Sequence, residues 1–112
     1  MNSTVEVLVY RLKPGEGAAF HDIMERISIP LHRSHGMRVI AFGRSVSDPD
    51  AYHLVRAYES VEHMTASQDA FYASADWRSG PREAIVARIE SSLRSVLAMP
   101  EEALAALERA TG

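Results

Sequence analysis

The sequence contains no cysteine in its 112 residues. Disulfides, iron–sulfur clusters and a thiol nucleophile are thereby excluded, and the composition suits a reducing compartment, so a cytoplasmic location is expected. The formal net charge is −3 with histidine neutral, and the basic residues form no run. A nucleic-acid surface needs a clustered basic face, so nucleic acid is not an expected partner. No apolar run approaches the roughly 18 residues of a membrane span. The opening MNSTVEVLVYRL has no basic n-region and enters strand-like alternation at once, which is unlike a signal peptide. Neither a membrane nor a secretory leader is therefore expected. There is no G-x-G-x-x-G, no phosphate loop and no nucleophile elbow, so no nucleotide cofactor is expected either.

What remains is ordinary for one soluble globular domain: 46% hydrophobic and 24% charged residues. A chain of this length buries roughly two-thirds of its unfolded surface and needs no staples. Val5 to Leu12 alternates and reads as a first strand. Lys13-Pro14-Gly15 is a turn, and a helix follows from about Glu16 to His35 on the stripe Phe20, Ile23, Met24, Ile27 and Leu31. Pro30 removes one backbone donor inside it, so a kink is expected near Ile29. Gly36 closes the helix as a left-handed cap.

Met37 to Ser45 is a second strand, Ser45 to Asp50 a loop, and Tyr52 to Tyr58 a third strand. Ser60 is an N-cap for the next helix, whose face is Val61, Met64, Gln68, Phe71, Tyr72 and Ala75. A break at Asp76 to Gly80 precedes a short helix from Pro81, with Ile85, Val86 and Ile89 on its buried side. Ser92 to Met99 is a fourth strand, and Glu101 to Arg109 a tail helix. The order βαββαβ with an antiparallel four-stranded sheet is ferredoxin-like, of class α+β. Residues 1–99 form the domain and 100–112 a short helical tail.

The alternation separates two sheet faces. One carries Val5, Val7, Val9, Met37, Val39, Ala41, Gly43, His53, Val55 and Ala57, small residues suited to helix packing. The other carries Glu6, Leu8, Tyr10, Arg38, Ile40, Phe42, Arg44, Tyr52, Leu54, Arg56 and Tyr58. Its aromatic content exceeds what a monomer usually leaves exposed, so it is expected to be a homodimer interface built on Tyr10, Phe42, Arg56 and Tyr58. The plainer reading is a solvated amphipathic face.

Several stretches resemble the NIPSNAP family: Tyr10 with Lys13-Pro14-Gly15, His35-Gly36, Arg56-Ala57-Tyr58-Glu59-Ser60, Phe71-Tyr72 followed by Trp77, and Arg82-Glu83-Ala84 through Ile89-Glu90-Ser91. The resemblance covers about residues 5 to 99. It departs at Leu8, where many members carry a basic residue. It implies a dimeric α+β barrel in which two sheets face each other, and it implies no catalytic set. Relatives of the fold include cofactor-free monooxygenases, lactone isomerases and haem enzymes.

Candidate chemistry is sparse. His53 is the one ionisable residue on the small-residue face, and it becomes the general base if a cavity lies between sheet and helices. Otherwise it is a buried histidine bonded to backbone. Phe20, Met24, Phe71, Tyr72 and Trp77 form either the wall of an apolar ligand pocket or plain core. Arg56 with Tyr58 and Tyr10 suits a carboxylate or enolate, or an interface network. His32 and His35 share a helix face but lack a third ligand, so no metal is expected. His63 is a haem ligand only by analogy with relatives of the fold. The function expected is binding or transformation of a small apolar or aromatic molecule without metal or nucleotide. The alternative is a non-catalytic dimeric binding or interaction protein.

Overall fold

The computed structural model describes residues 1–111. Gly112, the last residue of the expected tail, lies outside them. The strands are β1 (Asn2–Leu12), β2 (Arg38–Arg44), β3 (Ala51–Tyr58) and β4 (Ile89–Pro100). All pairings are antiparallel and the order is β2-β3-β1-β4. The connecting helices are α1 (Gly17–Ile23), α2 (Ile29–Ser34), α3 (Val61–Ala73), α4 (Ala75–Arg78) and α5 (Arg82–Val86), and α6 (Glu101–Thr111) follows β4. This is the expected ferredoxin-like α+β fold. Among the described residues no helix is long and apolar enough to cross a membrane.

Local chemistry sets the breaks. Between α1 and α2 the chain makes a π-helical turn over Met24–Ser28, where the Ile29 N–H reaches back five residues to the Met24 carbonyl. Pro30 follows at the start of α2. Its ring cannot tolerate the carbonyl four residues earlier, and the widened turn accommodates it. The expected kink is thus a π turn, and the changed phase leaves Ile27 50% exposed, outside the expected stripe. Gly36 closes α2 at φ +75°, the left-handed conformation the sequence calls for.

Ser60 caps α3 by accepting the His63 N–H at 3.0 Å. Ser74 ends α3 and starts α4: its hydroxyl donates to the Phe71 carbonyl at 2.6 Å and accepts the Trp77 N–H at 3.3 Å. The helix therefore stops at Ala73, two residues before Ala75. Ile89 belongs to β4 rather than to the short helix, and Val86 is exposed while Ile85 is buried.

The two sheet faces are the reverse of the expectation. Leu8, Leu12, Tyr52, Leu54 and Tyr58 pack with Phe20, Met24, Ile29, Met64, Phe71 and Trp77 into the main core, and Tyr10 and Phe42 lie against it. Tyr10, Phe42, Arg56 and Tyr58 are therefore under the helices and not on an open dimer face. The larger side chains give the greater apolar burial, and the charges that marked this face as outer neutralise one another inside it: Glu6 stands opposite Arg56 in the β1–β3 register.

A bulge in β2 between Val39 and Ala41 breaks the alternation of that strand. It shifts the alternation, so Val39 and Phe42 face the helices while Ile40 and Ala41 face away. The second face carries Val5, Ile40, Ala41 and Ala57, and α6 covers these with Leu104, which is fully buried. Arg38 fixes α6 by paired bonds to Glu101, both at 2.9 Å, and by bonds to Glu108, the shortest at 2.9 Å. Beyond α6 the same face leaves Val9 43%, Leu97 38% and Leu93 73% exposed.

Candidate functional site

β1 and β3 bring Glu6 and Arg56 side by side beneath α3, and each is 1% exposed. The Arg56 Nε donates to Glu6 Oε1 at 2.7 Å, and its Nη2 lies 2.6 Å from the same oxygen. The other carboxylate oxygen accepts from Arg94 Nε at 2.6 Å and from Gln68 Nε2 at 2.9 Å. Burial by itself would raise the Glu6 carboxyl. The Arg56 charge and the bonds from Arg94, Gln68 and Arg56 outweigh it and hold the group below the usual carboxylate range. Gln68 also donates to the Tyr58 hydroxyl at 3.1 Å.

The far side of the guanidinium turns to the helices. Arg56 Nη1 lies 3.1 Å from His32 Nε2 and donates to the Tyr72 hydroxyl at 2.7 Å. His32 is 2% exposed. Its Nδ1 sits 2.7 Å from the Ser28 carbonyl, in the last residue of the π turn. A carbonyl only accepts, so Nδ1 carries the proton and Nε2 is left to accept from Arg56. Burial pushes the imidazole down to about 4, with the nearby Arg56 charge acting in the same sense. His32 is thus a neutral acceptor, positioned by the turn that Pro30 induces.

The Tyr72 ring leaves this network at the surface. It is 36% exposed, packs edge-on to Phe71 at 5.2 Å and to Trp77 at 5.2 Å, and lies under the Arg56 guanidinium at 5.8 Å from its centroid. Its open side borders a depression of about 560 Å³ shared with Ala73, Ala75, Arg78, Ser79 and Arg82.

The residues expected from sequence are partly gathered here. Phe71, Tyr72 and Trp77 stand together. Phe20, 0% exposed, and Met24, 2% exposed, are core beneath α1, where Phe20 meets Tyr10 and Tyr52 edge-on. His53 is on the opposite sheet face, half-buried beside Gly43 and Val9, and burial lowers its imidazole. It therefore does not lie between sheet and helices and has no access to this network. His35 parts from His32 and bonds Asp76 at 3.2 Å. His63 stays exposed, its Nδ1 accepting the Glu59 N–H at 3.1 Å. Among the described residues no cluster of three or more His, Asp or Glu is placed to hold a metal.

Glu6, His32, Gln68 and Arg94 were not singled out together by sequence. One signal existed. Glu6 and Arg56 occupy matching positions of two adjacent antiparallel strands, which makes a cross-strand pair a natural reading.

A four-stranded antiparallel sheet in the order β2-β3-β1-β4, backed by helices over a buried polar network, defines a ferredoxin-like α+β protein. The chain belongs to the NIPSNAP family, whose family model matches residues 5–100. A crystal structure of a NIPSNAP family protein from Agrobacterium tumefaciens is 16% identical with a TM-score of 0.80, covering 88% of this chain and 87% of that one. A NIPSNAP-like domain protein from Burkholderia xenovorans is 22% identical with a TM-score of 0.78, covering 88% and 84%. A Nitrosomonas europaea protein assigned as an antibiotic biosynthesis monooxygenase is 16% identical with a TM-score of 0.62, covering 87% and 88%. No curated protein matches the sequence.

Proposed function

We propose that this protein binds a small apolar or aromatic molecule bearing an enolisable carbonyl, and stabilises its enolate, without a metal or nucleotide cofactor. One observation carries the reading: a guanidinium that is 1% exposed donates at 2.7 Å to the hydroxyl of a tyrosine that is 36% exposed. Because Arg56 supplies that hydrogen, the Tyr72 proton is free for another acceptor. A ligand oxygen beside Tyr72 would receive it, and charge developing there would be shared through the phenol with a permanently charged arginine. Glu6 and His32 hold Arg56 from behind, so the donor is pre-oriented. An enolate is common to carbonyl isomerisation and to cofactor-free oxygenation, and the Nitrosomonas europaea neighbour is named an antibiotic biosynthesis monooxygenase. That neighbour lends the analogy of fold alone.

The probe is 1-phenylbutane-1,3-dione, which joins an aromatic body to an acidic carbonyl pair. Binding to the wild type should produce the enolate absorbance band at a pH where the free compound stays largely neutral. Tyr72→Phe should keep binding within a few-fold and lose the band. An unchanged band in the variant, or none in the wild type, overturns the reading.

The dimeric alternative rests on a different observation. The sheet face beyond α6 leaves Val9 43% and Leu93 73% exposed. We infer that a second copy covers this row, with β4 at its centre, instead of the Tyr10 face expected from sequence. Sedimentation equilibrium should show a dimer for the wild type and a monomer for Val9→Lys. A monomeric wild type overturns it.

A further inference from the structure

The depression beside Tyr72 has an unusual charge for an acidic chain. Arg78 and Arg82 both line it, and among the described residues neither is ion-paired, as is also true of Arg33, Arg44 and Arg109, whereas Arg11, Arg26, Arg38, Arg56, Arg88 and Arg94 each have a carboxylate within salt-bridge distance. What sets Arg78 and Arg82 apart is that both line one hollow. No acidic residue lines this depression. Asp76, two residues before Arg78, bonds His35 at 3.2 Å, and Glu83, next to Arg82, borders the adjoining hollow instead.

The two arginines are held on short, braced elements. Trp77, buried directly before Arg78, packs at a tilt against Phe71 at 5.5 Å, and Pro81, directly before Arg82, is buried at the start of α5. The turn is closed by Ser79 N–H to the Ala75 carbonyl at 2.8 Å and Gly80 N–H to the Trp77 carbonyl at 3.2 Å. The pair is therefore presented by a fixed backbone and does not depend on a mobile loop.

A second depression of about 690 Å³ adjoins the first through Arg82 and is bordered by Ala84, Val86 and Ala87 as well as Glu83. Val86 is 51% exposed there. Two contiguous hollows thus share one arginine: the first offers two guanidinium groups and the Ser79 hydroxyl, the second an apolar lip. Arginine matches a planar carboxylate by paired parallel hydrogen bonds.

Resting on the Tyr72 reading for the site's location, we propose that the ligand is an amphiphilic carboxylate, its anionic group held by Arg78 and Arg82 and its apolar part lying along α5 toward Val86. The enolisable carbonyl of the same molecule would then be presented to Tyr72. The negative head gives affinity and orientation, and the apolar tail sets length. A neutral ketone binds the same site more weakly, since it lacks the charge-assisted bonds to the two arginines.

The test uses the full chain and 4-phenylbutanoate as probe, followed by amide chemical-shift titration. Saturable shifts should appear at residues 72–87. Arg78→Gln and Arg82→Gln should each weaken binding about tenfold, as expected for loss of one charge-assisted contact. 4-Phenylbutanol, lacking charge, and acetate, lacking the tail, should each bind at least tenfold more weakly, while Arg109→Gln should bind as the wild type does. Both arginines are exposed, and circular dichroism should confirm that the variants are folded.

Equal binding of the alcohol, or unchanged binding in both arginine variants, overturns the proposal, as does the absence of saturable shifts. Shifts seen only with anionic phospholipid vesicles, and not with the free acid, also overturn it. The two readings fail separately. If the diketone is enolised but the carboxylate does not bind, the anion site falls and the Tyr72 role stands. If the carboxylate binds with arginine dependence but no enolate forms, the reverse holds.

Discussion

Replacing Glu6 with glutamine removes a charge and almost no volume, so it isolates electrostatics in the network. Glu6 and Arg56 are each 1% exposed, and the pair is bonded at 2.7 Å and 2.6 Å. In Glu6→Gln the guanidinium stays buried without its counter-charge. One carboxylate oxygen also becomes an amide that points a donor at Arg94 or at Arg56. Breaking a buried pair from one side typically costs about 3–5 kcal/mol, against at most about 1 kcal/mol for an exposed pair. Domain stabilities run from about 5 to 15 kcal/mol, so roughly a fifth or more of the total is at stake. The assay is urea unfolding followed by far-UV circular dichroism at pH 7. A double variant, Glu6→Leu with Arg56→Met, removes both charges and should be more stable than Glu6→Gln. It will not recover fully, because His32 Nε2 and the Tyr72 hydroxyl lose their partner. A loss below about 1 kcal/mol for Glu6→Gln would refute the claim that the network is desolvated.

Acid should destabilise the protein through His32. Its folded value is about 4 against an unfolded 6.5, so below 6.5 the unfolded chain takes up a proton that the native chain refuses. Stability should fall as pH drops from 6.5 to 4, by up to about 3 kcal/mol, and His32→Gln should flatten that slope in a pH series of urea melts. Glu6 adds a second loss below 4.5, as its depressed carboxyl is protonated. Leu104→Ala should cost about 2–5 kcal/mol and speed amide exchange at Val5, Ile40 and Ala57, which α6 covers; unchanged exchange would detach α6 from the sheet. Ser74→Ala should cost about 1 kcal/mol, because one hydroxyl both ends α3 and caps α4, and a thermal melt equal to wild type would contradict that double role.

Strand order and the main helices were legible in the chain because periodicity and caps act locally: Ser60, Gly36 and Lys13-Pro14-Gly15 each do what their chemistry dictates, whereas α4, which lies across the expected break at Asp76 to Gly80, and the π turn within the first helix were not. Side was harder to read than element. Four charges make the Tyr10 face read as solvent-facing: Glu6, Arg38, Arg44 and Arg56. Glu6 and Arg56 cancel across strands, and Arg38 changes face because β2 bulges between Val39 and Ala41. Neither fact is local. The same inversion moved His53 from the expected site to the open face, and brought Arg56, Tyr58 and Tyr10 from an expected interface into the core. The aromatic group Phe71, Tyr72 and Trp77 was legible, since one short segment carries it. Its partner Arg56 lies 16 residues away from Tyr72 and reaches it only through the register of β3 beneath α3. His32 was visible as a histidine but not as Arg56's acceptor, because that role depends on the π turn exposing the Ser28 carbonyl to Nδ1.

The most direct measurement is native mass spectrometry of the protein gently isolated from its own host, wild type beside Tyr72→Phe. A wild-type dimer carrying a reproducible extra mass, which dissociates as an anion and is reduced in occupancy in the variant, is the predicted result. A bare monomer in both preparations would contradict the account.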